Sequence, residues 1–242
     1  MDFKIQAQQS SMAPYHIRNY REKDRTQVLD LFSQGINEHI PTTFRHILKL
    51  PRTLVLLVGL PLVFFLLSGS WLLALVASLT LLAALRFLSR YPWTKFLVMS
   101  LRKDMSDITK SYFGKPGSCF WVVEAEGQVV GMVGALPATL QKEKLELLHL
   151  CVAMEHRGQG IAKALVRTVL QFARDQGYSQ VNVSTSIMQH SAMALYQRMG
   201  FQKMHQSFLS MSWRLMAVPI VSFVYCLPSA RASEIKGPGG GP

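Results

Sequence analysis

Leu145-Glu146-Leu147-Leu148-His149-Leu150-Cys151-Val152, followed closely by His156-Arg157-Gly158-Gln159-Gly160-Ile161-Ala162-Lys163-Ala164-Leu165, carries the signal from which the rest of the chain can be placed. The first run is apolar enough for a buried strand. The second opens on two glycines and continues as an apolar helical stripe: Ile161, Ala164, Leu165, Val169 and Phe172. Strand, glycine turn and helix N-terminus together make an anion site. Glycine lets the backbone come close, and the unpaired N–H groups point at the negative charge with the helix dipole behind them. A pyrophosphate is the natural guest. A Walker loop needs G-x-x-x-x-G-K-[ST] and a dinucleotide turn needs G-x-G-x-x-G, and neither spacing is present.

Working outward, 242 residues leave room for one sizeable domain and an extra element. The formal net charge is +12, but the basic residues are dispersed and follow no finger, zipper or RNP pattern. A nucleic-acid partner is therefore not expected, whereas an anionic cofactor or a membrane surface accounts for the charge. The three cysteines, Cys119, Cys151 and Cys226, are widely spaced and odd in number, which fits reduced thiols. The opening residues are polar and lack the apolar core of a signal peptide.

Residues 1–11 show no period and are expected to be a loose extension. A short strand over Tyr15 to Tyr20 and a helix with Asp24 as N-cap and Val28, Leu29 and Phe32 as its stripe follow. From Thr53 to Leu85 no residue carries a charge. A single helix of that length would be roughly 50 Å long against a hydrocarbon core of about 30 Å. It would need a tilt of about 50°, outside the usual range. Ser68-Gly69-Ser70 also breaks the run. The expected arrangement is a membrane-embedded hairpin with arms Leu50 to Leu67 and Trp71 to Leu88; a single pass is the alternative. Basic residues flank both ends, Arg45, Lys49 and Arg52 before and Arg86, Arg90, Lys95, Arg102 and Lys103 after, so both ends are expected on the cytosolic side.

Beyond the hairpin the pattern predicts a helix over Ser100 to Phe113 and strands at Ser118 to Glu124, Gln128 to Leu136 and 145–152. Helix Ile161 to Gln176 should stop at Gly177. A strand at Val181 to Ser184, a helix at His190 to Met199 and β-type stretches over Lys203 to Trp213 and Pro219 to Leu227 complete the domain. The division expected is 1–11 extension, 12–50 first part of the domain, 51–88 hairpin, 89–228 main part and 229–242 flexible tail.

Arg157-x-x-Gly160-x-Ala162 resembles the Q/R-x-x-G-x-G/A coenzyme A loop of the GNAT acetyltransferases, and Ala192-x-x-Leu195-Tyr196-x-x-x-Gly200-Phe201 resembles that fold's later helix signature. With IRNYREKD (17–24), KDMSDITKSYF (103–113) and the inserted apolar run, the chain resembles the camello-like, N-acetyltransferase 8 family from residue 12 to about 230. The resemblance implies an α/β fold: a GNAT-type mixed sheet flanked by helices, with the transmembrane hairpin inserted. It also implies an acetyl-CoA-dependent, metal-free N-acetyltransferase of endoplasmic reticulum and Golgi-region membranes. Its acceptors would be small-molecule amines of the cysteine S-conjugate type or, for some members, protein lysines; a non-catalytic, membrane-anchored GNAT-like interaction module is the alternative of another class.

In that picture the backbone from Arg157 through Gly158, Gln159, Gly160, Ile161 and Ala162 holds the pyrophosphate, with Arg157 and Lys163 adding charge. Leu150, Cys151 and Val152 bond the pantetheine arm along the strand edge, and Tyr196 protonates the departing thiolate. His190 stands where many relatives carry Asn against coenzyme A. The base is His149 or Glu146, which strand alternation turns to opposite faces unless a bulge intervenes; His149 is preferred, because imidazole is the side chain whose ordinary proton affinity suits base catalysis near neutral pH. Cys151 is expected as a small buried residue rather than a nucleophile.

Overall fold

The computed structural model describes residues 15–227, so the extension expected over 1–11 and the tail expected over 229–242 lie outside the described residues. Its frame is a seven-stranded sheet in the order β1-β2-β3-β4-β5-β7-β6. The strands are β1 Tyr15–Asn19, β2 Cys119–Ala125, β3 Gln128–Pro137, β4 Lys144–Val152, β5 Gln180–Ser186, β6 Gln202–Ser207 and β7 Ile220–Cys226. Every pairing is antiparallel except β4 with β5. That parallel step needs a crossover, supplied by helix α6, Ile161–Asp175. Glu126 and Gly127 both take positive φ and close the tight β2–β3 hairpin.

Two cores sandwich the sheet. On one face, α6 and α7 (His190–Arg198) cover Trp121, Val133, Leu145, Leu147, Val183 and Phe223. On the other, Phe120, Val122 and Met132 meet α1 (Arg25–Asn37), α2 (His39–Leu48), α5 (Ile108–Phe113) and α8 (Met211–Leu215). Val28, Leu31, Phe32 and Ile36 form the buried stripe of α1 at helical spacing. Asp24 precedes α1 but does not cap it with its side chain. Its carboxylate instead accepts from the Arg18 guanidinium at 2.6 and 2.9 Å and from the Arg21 N–H at 2.9 Å. A buried carboxylate gains more from a paired guanidinium than from a helix N–H.

The apolar run forms α3 (Pro51–Ser68) and α4 (Trp71–Arg102), folded back on each other through Gly69, which takes the left-handed φ of 64°. Both are long and apolar enough to cross a membrane, and their side chains are largely uncovered: Leu67 is 83% and Trp71 77% exposed. The helix that carries the second arm runs on past Leu88. The helix continues to Arg102 because Ser89, Pro92, Trp93 and Ser100 are buried against the domain, with Trp93 Nε1 donating to Thr43 Oγ1 at 2.9 Å. The helix expected over Ser100 to Phe113 is therefore two pieces, the end of α4 and α5. Asp107 separates them and caps α5 by accepting from Lys110 N at 2.8 Å. The β-type stretch expected over Lys203 to Trp213 also divides, into β6 and the single helical turn α8. Trp213 is buried at 4.8 Å from the Trp93 ring, a contact with another element that local pattern does not report. Helix α2, which the periodicity left unmarked, joins α1 to the hairpin.

Candidate active site

The sheet opens between its two parallel strands. The β4–β5 ladder covers only Lys144–Leu147 against Gln180–Val183, while β4 runs on to Val152 and β5 to Ser186. On its other edge β5 stays paired with β7 as far as Ser186, so β4 is the strand that leaves. The cause is a bulge. Met132 pairs with Cys151 but Gly134 with Leu148, which puts an extra residue in β4, and His149 takes the left-handed φ of 54°. Such a bulge bends its strand and sharpens the local twist. The backbone of Leu150, Cys151 and Val152 thereby faces an unpaired edge at the carboxyl ends of two parallel strands, where open α/β sheets receive ligands.

The glycine turn closes the end of this wedge. Gly158 and Gly160 take φ of 80° and 82°, and a Cβ built on either would meet nothing within 4 Å. The first backbone N–H beyond the turn to find an acceptor is Ala164, on the Gly160 carbonyl at 3.0 Å. The N–H groups from Gly158 to Lys163 therefore find no acceptor among the described residues at the start of α6, as an anion cradle requires. A pyrophosphate fits this turn chemically: left-handed glycines, open space and an unspent helix N-terminus coincide. Arg157 points elsewhere. Its Nε donates to the Val152 carbonyl at 3.0 Å and its Nη2 to Glu38 at 2.8 Å, tying the turn to the α1–α2 corner. Lys163 is exposed on the first turn of α6.

The bulge also decides the relation between the two candidate bases. Leu145, Leu147 and Val152 face the α6 core, so alternation would send His149 there too. The left-handed residue turns it over instead. Its imidazole packs edge-on against Phe32 at 4.9 Å, and Nε2 lies 2.6 Å from Asp104 Oδ2, on the same face as Glu146. Asp104 also accepts from the Tyr112 hydroxyl. Burial pushes the Asp104 carboxyl up, but the His149 and Tyr112 hydrogen bonds outweigh it and hold the carboxyl below its ordinary value. Burial raises Tyr112 well above the tyrosine range, so it remains a donor. Glu146 is exposed and carries no hydrogen bond among the described residues; partial burial raises its carboxyl. Beside it, in register, Asn182 holds a buried Oδ1 without a partner among the described residues, an unfilled acceptor on the same face as His149.

Tyr196 lies on the other face, 3% exposed, with the Phe201 and Phe223 rings at 5.5 and 5.8 Å; burial raises its phenol well above the ordinary value. It does not meet His149. The two flank the wedge from opposite sides of the sheet. His190 is exposed at the first residue of α7. Cys151 is pressed on α1, its Sγ 3.6 Å from the Leu31 carbonyl, and burial pushes the thiol up to about 11, which leaves it a poor nucleophile. Asp104, Tyr112 and Asn182 were not marked by the sequence pattern. Asp104 sits in the segment KDMSDITKSYF, yet nothing in its spacing points to a histidine on a distant strand.

A mixed sheet that parts between parallel strands, with a glycine turn feeding a helix at the opening, defines a GNAT-type acetyltransferase. The sequence matches the acetyltransferase (GNAT) family over residues 85–201. Human N-acetyltransferase 8B is 60% identical over 227 residues, spanning 93% of this chain and 100% of that protein. Human N-acetyltransferase 8 has the same identity and coverage, and mouse N-acetyltransferase family 8 member 3 is 54% identical over 90% of this chain and 98% of its own. A GNAT-family acetyltransferase of Staphylococcus aureus Mu50 superposes with a TM-score of 0.56 at 14% identity, over 88% of this chain and 99% of that one, which supports the fold alone. The chain belongs to the N-acetyltransferase 8 family of GNAT acetyltransferases, and its class of activity is acetyl-CoA-dependent N-acetyl transfer.

Proposed function

We propose that this protein is a membrane-inserted enzyme that acetylates the amine of small, amphipathic amino-acid conjugates of the cysteine S-conjugate type by direct attack on acetyl-CoA. The observation that carries the reading is the α3–α4 hairpin, whose uncovered apolar arms continue into the helix that packs beside His149's core. In this reading 51–88 is the insert, while 12–50 and 89–228 make up the catalytic domain. Basic flanks at Arg45, Lys49 and Arg52 and at Arg86, Arg90 and Lys95 support a hairpin with the catalytic domain on the cytosolic face of endoplasmic reticulum or Golgi-region membranes.

The free N–H groups from Gly158 to Lys163 bind the pyrophosphate, and the open edge at Leu150 to Val152 orients the acyl donor. His149, its Nε2 engaged by Asp104, offers Nδ1 to take the proton of the attacking ammonium, and the vacant Asn182 Oδ1 accepts an N–H of the acceptor. Tyr196, kept protonated by burial, gives its proton to the departing thiolate. Substrate chemistry fits a single modest base. An α-amine of pKa about 7.8 costs about 1 kcal/mol to deprotonate at pH 7, whereas a lysine at about 10.4 costs nearly 5. The test is acetyl-CoA turnover by the membrane-reconstituted chain with a cysteine S-conjugate beside a lysine peptide. Higher kcat/KM for the conjugate supports the reading; preference for the peptide replaces it with protein-lysine acetylation.

A further inference from the structure

The segment between β6 and β7 exposes an apolar cluster that the active site does not use. Phe208, Leu209, Met211 and Leu215 all face outward, Met211 being 74% exposed, while Trp213, Met216 and Val218 turn in, Trp213 against Trp93. Between them Phe208, Ser210, Met211 and Arg214 line an open depression of about 470 Å³. From Phe201 to Leu227 there is no acidic residue, whereas Lys203 and Arg214 are basic.

The position of this cluster is fixed by the base of the hairpin. The Arg52 guanidinium donates to the Leu215 carbonyl, and His46 Nε2 lies 3.2 Å from the Ala217 carbonyl. Arg52 is the last charged residue before the uncharged arm of α3, so it marks the level at which that arm leaves the aqueous phase. A segment hydrogen-bonded to it sits at the same level. Apolar side chains with nearby arginines at that depth have the composition of an interfacial anchor.

We infer that the Phe208–Leu215 segment is a second membrane-contact site, resting on the headgroup–acyl boundary of an anionic bilayer beside the hairpin. The inference rests on the membrane-inserted reading of α3 and α4 and goes beyond it. It assigns a lipid surface to a part of the catalytic domain that is remote in sequence from the apolar run. Because Trp213 and Met216 share a core with Phe32, the contact brings the acceptor side of the sheet to the bilayer surface. Amphipathic acceptors concentrated there would reach His149 without crossing bulk water.

The test uses the full chain in phosphatidylcholine–phosphatidylserine nanodiscs with Cys226→Ser, since Cys226 is the exposed thiol while Cys119 is buried and Cys151 half-buried. A bimane probe is placed in turn on Met211→Cys, on Leu62→Cys in the α3 arm and on Glu126→Cys in the β2–β3 turn. The labelled Cys226→Ser parent supplies the background. Nitroxide lipids labelled just below the headgroup should quench the Met211 probe at least about twofold, as expected for side chains about 5–10 Å into the interface. Deep-chain nitroxides should quench Leu62 more strongly, and neither label should reach Glu126. Quenching at Leu62 without quenching at Met211 overturns the inference and leaves the hairpin in the bilayer. No quenching at Leu62 removes the membrane reading itself, and this inference with it. Protection of Met211 that depends on protein concentration, without quenching, assigns the surface to a second copy of the chain and also overturns the inference. Equal quenching at Glu126 marks nonspecific adsorption and does the same.

Discussion

Asp104→Asn isolates the contribution of the Asp104–His149 contact to the proposed mechanism. The Nε2–Oδ2 separation is 2.6 Å between side chains only 7% and 20% exposed, so solvent screens the contact little. A hydrogen bond to a charged group is worth about 1.5–3 kcal/mol. Asn keeps the shape and loses the charge. Asp104 is still partly reached by water, so the lower half of that range applies. At about 1.4 kcal/mol per decade this is a fall of roughly 10- to 40-fold in kcat/KM for the acceptor. Affinity for acetyl-CoA should be unchanged, because Asp104 lies on the face away from the glycine turn's helix. The assay is steady-state turnover against pH at saturating acetyl-CoA, repeated in a His149→Gln background. There the Asp104→Asn effect should disappear, since both substitutions act on one unit. Wild-type kcat/KM, or an undiminished loss in the His149→Gln background, would refute the dyad as the base.

Ala162→Glu should abolish acetyl-CoA binding by titration calorimetry while the circular dichroism spectrum is kept, because it puts a negative charge on the free N–H groups opening α6. Tyr196→Phe should lower kcat by on the order of 10²-fold with little change in acetyl-CoA affinity, measured by single-turnover kinetics; an unaltered kcat would make Tyr196 a packing residue of its core. Gly35→Ala should destabilise the fold by about 1–3 kcal/mol, since the added Cβ would lie 2.6 Å from Cys151 Sγ; adding Cys151→Ala should recover most of that loss in denaturant titrations. Asp24 is held below its ordinary pKa: burial pushes it up, but the Arg18 guanidinium and the Arg21 N–H outweigh burial. Its contribution is therefore present above the unfolded value of about 3.9 and lost as pH falls through the lower folded one. Asp24→Asn should cost about 3 kcal/mol at pH 7, near the low end for a buried pair because Arg18 keeps Glu124 at 2.8 Å; melts of the variant and wild type should converge in acid.

Local chemistry sufficed for much of this protein. The left-handed glycines at 158 and 160, the apolar stripe of α6, the turn at Gly69 and the uncharged arms are each encoded within a few residues, so sequence alone located the glycine turn and the helical hairpin. The family motifs carried the fold class, because they fall in order along one chain. What sequence alone did not determine is non-local. One extra residue in β4 has no composition of its own, yet it parts the two parallel strands and turns His149 onto the face of Glu146. Asp104 becomes a partner only when the end of α4 is packed beside that bulge, across 45 positions of chain. The run of α4 past Leu88 and the helical turn at Met211–Leu215 both depend on burial against other elements, and Trp93 and Trp213 share one such contact. Periodicity registers which face of an element is apolar; it does not register which distant element will cover it, and that choice belongs to the tertiary fold.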